Sequence, residues 1–340
     1  MKKQILQNPS ATGIAPAKVI LSGEYSALYG GSALAMTIDF YLKAYLTTIE
    51  QPLIRIINPN LSEYSFEKCR AIGNQIDQRH NDFIKKKISI SYVLTNTDDL
   101  ILYIFNRHLQ NISRGISLNI HSTIPTGSGF GSSSAVISAI SLALGSITNK
   151  PFCNKEKLIH ETSYIERLQH GKTGVIDSTT IVIGGILYIK NINTPPIIKN
   201  ETLIGEWWAI NTGKPESSTG ECISFVEKHF SKSGIWSEFN YVTKEIMNSI
   251  QKKDEEKTYN LIRINQSLLQ SIGVVPKSVS RFISYIENKG GSAKVAGAGS
   301  IYGEKAGLVL VCGYNPEELS SSYGYKCYKI KEEKNGTTLV

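Results

Sequence analysis

Cysteine is scarce and unpatterned in this chain. Its five members, Cys69, Cys153, Cys222, Cys312 and Cys327, are odd in number and far apart, and no two form a CxxC step. This excludes a disulfide framework and a cysteine-built zinc site, and fits a reducing compartment. Long hydrophobic runs are also missing: nothing approaches the roughly 20 apolar residues that a membrane-spanning helix needs. The segment Met1–Gly13 has two lysines and no apolar stretch behind them, so no secretory signal is read there and a cytoplasmic location is expected. Low-complexity tracts and solenoid-spaced repeats are lacking. Acidic residues fall short of basic ones, leaving a net charge of +8. That excess favours small anionic ligands over nucleic acid, because the basic residues are scattered and the nearest cluster, Lys85–Lys87, has no aromatic interleaving.

What is present is an ordinary globular composition, 41% hydrophobic and 19% charged, over 340 residues, which is long enough for two cores. Strands are expected at Ala17–Ser22, Ala33–Asp39, Tyr41–Ile49, Ile54–Ile57 and Gly115–Ile120, with a glycine-containing loop over Gly23–Gly31. Leu61–Lys87 is polar and shows no clear period. Ile88–Leu109 has helical spacing, interrupted near Asn96–Asp98. Ala135–Ile147, apolar nearly all round, predicts a buried helix, and Lys155–His170 an amphipathic one. Thr180–Ile189 reads as a β run broken by Gly184–Gly185. Asn191–Asn200, with Pro195–Pro196, is the expected linker between domains over 1–195 and 196–340. Beyond it, strands are expected at Glu206–Asn211, Ala306–Cys312 and Tyr325–Ile330. Helices are expected at Glu221–Phe230, Phe239–Gln251 and Glu255–Gln270. The mixture indicates an α+β protein.

One run carries chemistry: Pro125-Thr126-Gly127-Ser128-Gly129-Phe130-Gly131-Ser132-Ser133-Ser134, placed between an expected strand and the buried helix. Glycines let backbone N–H groups turn toward an anion, and the helix N-terminus adds free donors and positive partial charge. The serines can cap the helix, bind phosphate oxygens or ligate Mg²⁺. No lysine follows the last glycine, so this is not a Walker A loop. Even spacing of Gly127, Gly129 and Gly131 is not the dinucleotide fingerprint GxGxxG.

The run resembles the P-x-G-x-G-L-G-S-S-A signature of the GHMP kinases, with Phe130 for Leu and Ser134 ahead of Ala135. Two further segments match in order. Ala15-Pro16-Ala17-Lys18-Val19-Ile20-Leu21-Ser22-Gly23-Glu24-Tyr25 is similar to P-x-K-x-x-L-x-G-E-H, and Ala293-Lys294-Val295-Ala296-Gly297-Ala298-Gly299-Ser300 to K-x-T-G-A-G-G. The resemblance implies the family fold: an N-terminal ribosomal-S5-like α/β domain and a C-terminal ferredoxin-like domain, with the site between them. It implies ATP and Mg²⁺, with Pro125, Gly127, Ser128, Gly129, Gly131, Ser132, Ser133 and Ser134 on the phosphates.

Glu166 and Asp177, in Glu166-Arg167-Leu168-Gln169-His170-Gly171-Lys172-Thr173-Gly174-Val175-Ile176-Asp177, are similar in separation to E-x-x-x-x-G-x-x-S-G-x-D of the mevalonate branch. By that likeness Glu166 and Ser133 hold the metal, Asp177 is the base, and Lys18 is its ionic neighbour. His170 reads as a satisfied helix-end histidine. Lys18, Glu24, Tyr25, Thr219, Gly297 and Ala298 are the expected acceptor contacts; Thr219 comes from Thr212–Thr219, which is similar to the family's T-x-x-P-x-x-T. Tyr25 stands where that branch carries His, and Tyr is found there in phosphomevalonate kinases. The expectation is phosphorylation of the 5-hydroxyl of mevalonate. Phosphomevalonate, another GHMP substrate, and a non-catalytic metabolite-binding relative are the alternatives. Expected partners are small molecules and a second copy of the chain, with no nucleic acid and no membrane.

Overall fold

A computed structural model describes residues 9–58, 60–125, 127, 129–171, 175–190, 197–199 and 201–340. Two long strands dominate its first half: β1 (Ser10–Ser22) and β2 (Ala33–Ile49), antiparallel throughout. The expected break in β2 at Phe40 is not an end. There the register of β1 jumps from Pro16↔Tyr41 to Ala17↔Ile38, a bulge that bends one continuous strand. Past the bulge β2 alternates, with Leu42, Ala44 and Leu46 inside and Lys43, Tyr45 and Thr47 outside. Before it Ala33–Ile38 is buried on both faces.

β3 (Leu53–Ile56) and β4 (Ser62–Ser65) form a hairpin, and the helix α1 (Phe66–Ile84) follows directly. The unassigned polar stretch thus holds nineteen helical residues. Its buried stripe, Cys69, Gly73, Ile76 and His80, is too thin in apolar residues to stand out in sequence. The helical spacing over 88–109 shrinks to a short 3₁₀ turn at Ile90–Tyr92 and α2 (Asp99–His108). Between them the Asp99 carboxylate accepts from the backbone N–H groups of Thr95, at 2.8 Å, and Asn96, at 3.2 Å. A turn therefore wins over helix.

β5 (Gly115–Ser122) leads to the phosphate-loop candidate, and α3 (Ser132–Ile147) leaves it. α3 lies across β1 and β2 so closely that a Cβ on Gly13 would come 2.0 Å from the Ala139 carbonyl oxygen. α4 (Lys155–His170) packs on α3 and leads toward α5 (Val175–Ile183). The β run expected over 180–189 is therefore helical up to Ile183. Its Thr180, Ile181 and Val182 are buried, and packing overrides their weak helix preference. After Gly184 and Gly185, both at positive φ, the chain enters β6 (Ile186–Ile189), which pairs with β2 and with β7 (Ile197–Lys199). The rest of the expected linker over 191–200 lies outside the described residues.

The second sheet begins at β8 (Trp207–Asn211). Four helices follow: α6 (Thr219–Phe230), α7 (Ile235–Gln251), α8 (Glu255–Ser271) and α9 (Lys277–Asn288). Then come β9 (Ser292–Val295), β10 (Leu308–Cys312), α10 (Glu317–Ser322) and β11 (Lys326–Ile330). The sheet runs β11-β8-β10-β9, all antiparallel, the outer strands flanking in the split βαβ manner. α9, β9 and α10 have no counterpart among the expected elements. The chain ends in β12 (Thr338–Leu339), which returns to the first sheet beside β1. The first sheet therefore runs β12-β1-β2-β5-β3-β4, with β6 and β7 branching from β2.

Candidate active site

The three sequence motifs and the two acids converge where the first sheet meets the second. Lys18, on the buried stretch of β1, is 3% exposed, and its backbone N–H donates to the Phe130 carbonyl at 2.9 Å. Its ammonium lies 2.8 Å from Asp177 Oδ1, and Asp177 stands in the first turn of α5. A strand residue and a helix residue 159 positions apart are thus in contact. Gly131 makes room for the lysine stem: a Cβ there would come 2.8 Å from Lys18 Cγ.

Gly127, Gly129 and Gly131 all have positive φ, the conformation that glycine alone enters freely. Gly131 is the N-cap of α3 and no side chain caps the helix. Of the roles open to the serines, capping is not taken up, because the N-cap position falls on a glycine. Ser133 Oγ donates to Glu166 Oε1 at 3.0 Å, and Ser134 Oγ donates to the same oxygen at 2.6 Å. Ser134 is fully buried, so its hydroxyl, expected on phosphate, faces inward instead. Ser132 opens the helix beside it, and Pro125 leads into the loop. Thr126 and Ser128 lie outside the described residues, as do Lys172, Thr173 and Gly174 and the side chain of His170.

Glu166, near the end of α4, is buried, and its Oε2 has no hydrogen-bond partner among the described residues. Burial raises its pKa to about 7, the Asp177 charge adds to the rise, and the two serines and Lys18 oppose it. An orphaned carboxylate oxygen beside a serine hydroxyl is a hard-oxygen pair, which suits Mg²⁺. No group of three or more His, Cys, Asp or Glu gathers among the described residues. A metal here would therefore complete its shell with phosphate oxygens and water, as Mg²⁺ commonly does.

The third motif closes the opposite wall. A Cβ on Gly129 would sit 3.3 Å from the Ala296 carbonyl oxygen, so the two glycine loops nearly touch. Gly297 and Gly299 have positive φ, and a Cβ on Gly299 would strike the Val274 carbonyl at 2.1 Å. Tyr25, 1% exposed, donates its phenol proton to the Ala298 carbonyl at 2.6 Å. The phenol, expected among the acceptor contacts, here ties the first motif to the third. Glu24 is likewise committed, in an ion pair with Lys294 of β9, whose ammonium also reaches the Ile20 carbonyl. Thr219 is exposed on the first turn of α6, while its neighbour Ser217 bonds Ser300 Oγ at 2.7 Å.

Lys294 is the residue that the motif reading passed over. It is fully buried inside the strand Ser292–Val295, and burial lowers its pKa while Glu24 opposes the fall. A lysine inside a short buried strand requires a carboxylate partner, and that was a readable signal.

This constellation has counterparts among known proteins. The family model "GHMP kinases N terminal domain" matches residues 96–185. Mevalonate kinase of Pyrococcus abyssi is 30% identical over 303 residues, covering 84% of each chain. The chain belongs to the GHMP kinase family. Among solved structures, the Methanococcus jannaschii mevalonate kinase superposes with a TM-score of 0.76 at 21% identity, covering 97% of this chain and 99% of that one. The L. major mevalonate kinase, in complex with R-mevalonate, superposes at 0.69 and 17% identity, covering 99% and 100%. This GHMP kinase therefore has the α+β fold expected of it, and it is an ATP-dependent phosphotransferase acting on a small molecule.

Proposed function

We propose that this GHMP kinase transfers the γ-phosphoryl group of ATP to the 5-hydroxyl of mevalonate, giving 5-phosphomevalonate and ADP. The observation that carries the reading is the Lys18–Asp177 pair, 2.8 Å apart, with the Glu166–Ser133 pair near enough that the charges of Lys18 and Asp177 both act on the Glu166 carboxyl. Curated relatives of this chain are mevalonate kinases, and one solved neighbour holds R-mevalonate. The acceptor oxygen forms its bond to the γ-phosphorus as the bridging oxygen leaves with ADP, and the hydroxyl proton passes to the Asp177 carboxylate. Lys18 holds that carboxylate in place and offsets charge growing on the transferred group. The N–H groups of Gly127, Gly129 and Gly131 and of the first turn of α3 take the phosphates. Mg²⁺ bound by Ser133 and Glu166 would neutralise the phosphate oxygens and favour the in-line geometry. Glu24 and Tyr25 act at one remove, by holding the third motif against the first. The unit built on the first sheet, to which β7 and β12 return from beyond residue 195, serves the nucleotide, and the unit built on the second sheet closes the acceptor side.

Tyr25 gave the phosphomevalonate reading its argument, and its phenol is bonded to Ala298 rather than offered to an acceptor. A coupled ADP-release assay with mevalonate, phosphomevalonate, homoserine and galactose decides the matter. Turnover is expected with mevalonate. Turnover confined to any other of the four, or to none, overturns the assignment.

A further inference from the structure

A cavity of about 470 Å³ opens at the far end of α3, bounded by the end of α2, the segment after α3 and the start of α4. It is not part of the phosphate site. The glycine loop sits at the N-terminus of α3 and the cavity wall at Lys150–Cys153 follows its C-terminus. Sixteen residues of helix put the two about 24 Å apart.

Three features of its wall point to an anionic ligand. Lys150 and Lys157 reach it from two sides, and neither has an ion pair among the described residues. The single carboxylate in the wall, Glu161, is already held by Arg107, which donates from Nε to Oε1 and from Nη2 to Oε2, the latter at 2.7 Å. The wall therefore keeps an unbalanced positive charge. His108 is 91% buried yet its Nε2 has no hydrogen-bond partner among the described residues, with Glu161 Oε1 3.9 Å away. A buried ring nitrogen left without a partner costs free energy, and a ligand oxygen in the cavity removes that cost. Burial also pushes the imidazole pKa down, so the ring is neutral at pH 7 and can offer an N–H. Finally, the Phe152 ring packs edge-on to His108, 6.2 Å between centroids, and supplies a flat apolar surface beside the cations.

We propose that this cavity is a second ligand site, taking a small organic phosphate whose oxygens meet Lys150, Lys157 and His108 Nε2 and whose apolar part lies on Phe152. The cavity carries its own reporter. Cys153 lines it and is exposed, whereas Cys69, Cys222 and Cys312 are buried and Cys327 is half-buried.

The test follows alkylation of Cys153 by a neutral maleimide, mapped by mass spectrometry, in the full chain with saturating Mg·ADP occupying the phosphate loop. Phenyl phosphate is the probe and benzyl alcohol its uncharged counterpart. Phenyl phosphate at four times its dissociation constant should slow labelling about fivefold, and benzyl alcohol should not. The Lys150→Ala/Lys157→Ala double variant should lose the protection while keeping wild-type turnover, since neither lysine lies near the reacting groups. Unslowed labelling, equal protection by benzyl alcohol, or protection that survives in the double variant each overturns the proposal. Protection that vanishes once ADP is added overturns it too, because the ligand then belongs to the phosphate loop.

Discussion

Asp177 and Lys294 show how one buried charge pair differs from another. The Asp177 carboxylate is partly open to solvent, while Lys18 beside it is buried. Asp177→Asn keeps the shape and removes the proton acceptor. It should lower kcat by roughly 10³-fold, within the range known for general bases, with ATP affinity little changed. Activity near wild type in the ADP-release assay would remove Asp177 from this role. Lys294 and Glu24 are both almost fully buried and have no opening to solvent. Lys294→Met leaves Glu24 as an uncompensated charge and should cost about 3–5 kcal/mol in denaturant unfolding. Lys294→Met combined with Glu24→Gln should recover most of that loss. If the double variant is no more stable than the single one, the pair is not what holds this contact.

At the scale of elements, the site depends on how closely α3 lies on the sheet. β1 supplies Lys18, α3 supplies Ser133 and Ser134, and Gly13 lets the two approach. Gly13→Ala forces a methyl group against the Ala139 carbonyl in a backbone that cannot yield locally. A loss of about 3 kcal/mol is expected, read from the shift in the urea midpoint. An unchanged midpoint would mean that α3 rides farther from β1. The same scale explains which elements were legible. α3 and α4 have apolar patterns of full helical length, and β1, β2 and β5 alternate or run apolar over enough residues to be read. α1 is polar on most of its circumference, so its period is faint. α5 is made of β-branched residues, so its composition points to a strand. Both are decided by what covers them.

Across the whole molecule, the two sheets are joined by more than the active site. Ser22 and Thr243 share a buried hydrogen bond of 2.7 Å, and Asn265 donates to Ser22. The Ser32 N–H donates to Asn240 Oδ1, and the C-terminal segment returns to place β12 against β1 and Thr337 against Ser138. These contacts should make the halves unfold together. A single calorimetric transition is expected, with calorimetric and van't Hoff enthalpies in agreement; two separated transitions would show that the halves are energetically independent.

The amino-acid sequence alone determined that this is an α+β chain, and it pointed to a glycine loop suited to an anion. Through its three ordered motifs it also pointed to Lys18, Glu166 and Asp177. Glycine spacing, helix-start chemistry and acid separation are local properties, and local properties survive in a linear string. Tertiary structure decided the assignments that depend on distance between remote residues. It turned Ser134 inward to Glu166 and bonded the Tyr25 phenol to Ala298. It paired Lys294 with Glu24 across the two sheets, and left His108 without a partner beside a basic cavity. Each is a question of which polar atom meets which in the absence of water, and burial settles that only after the chain has folded.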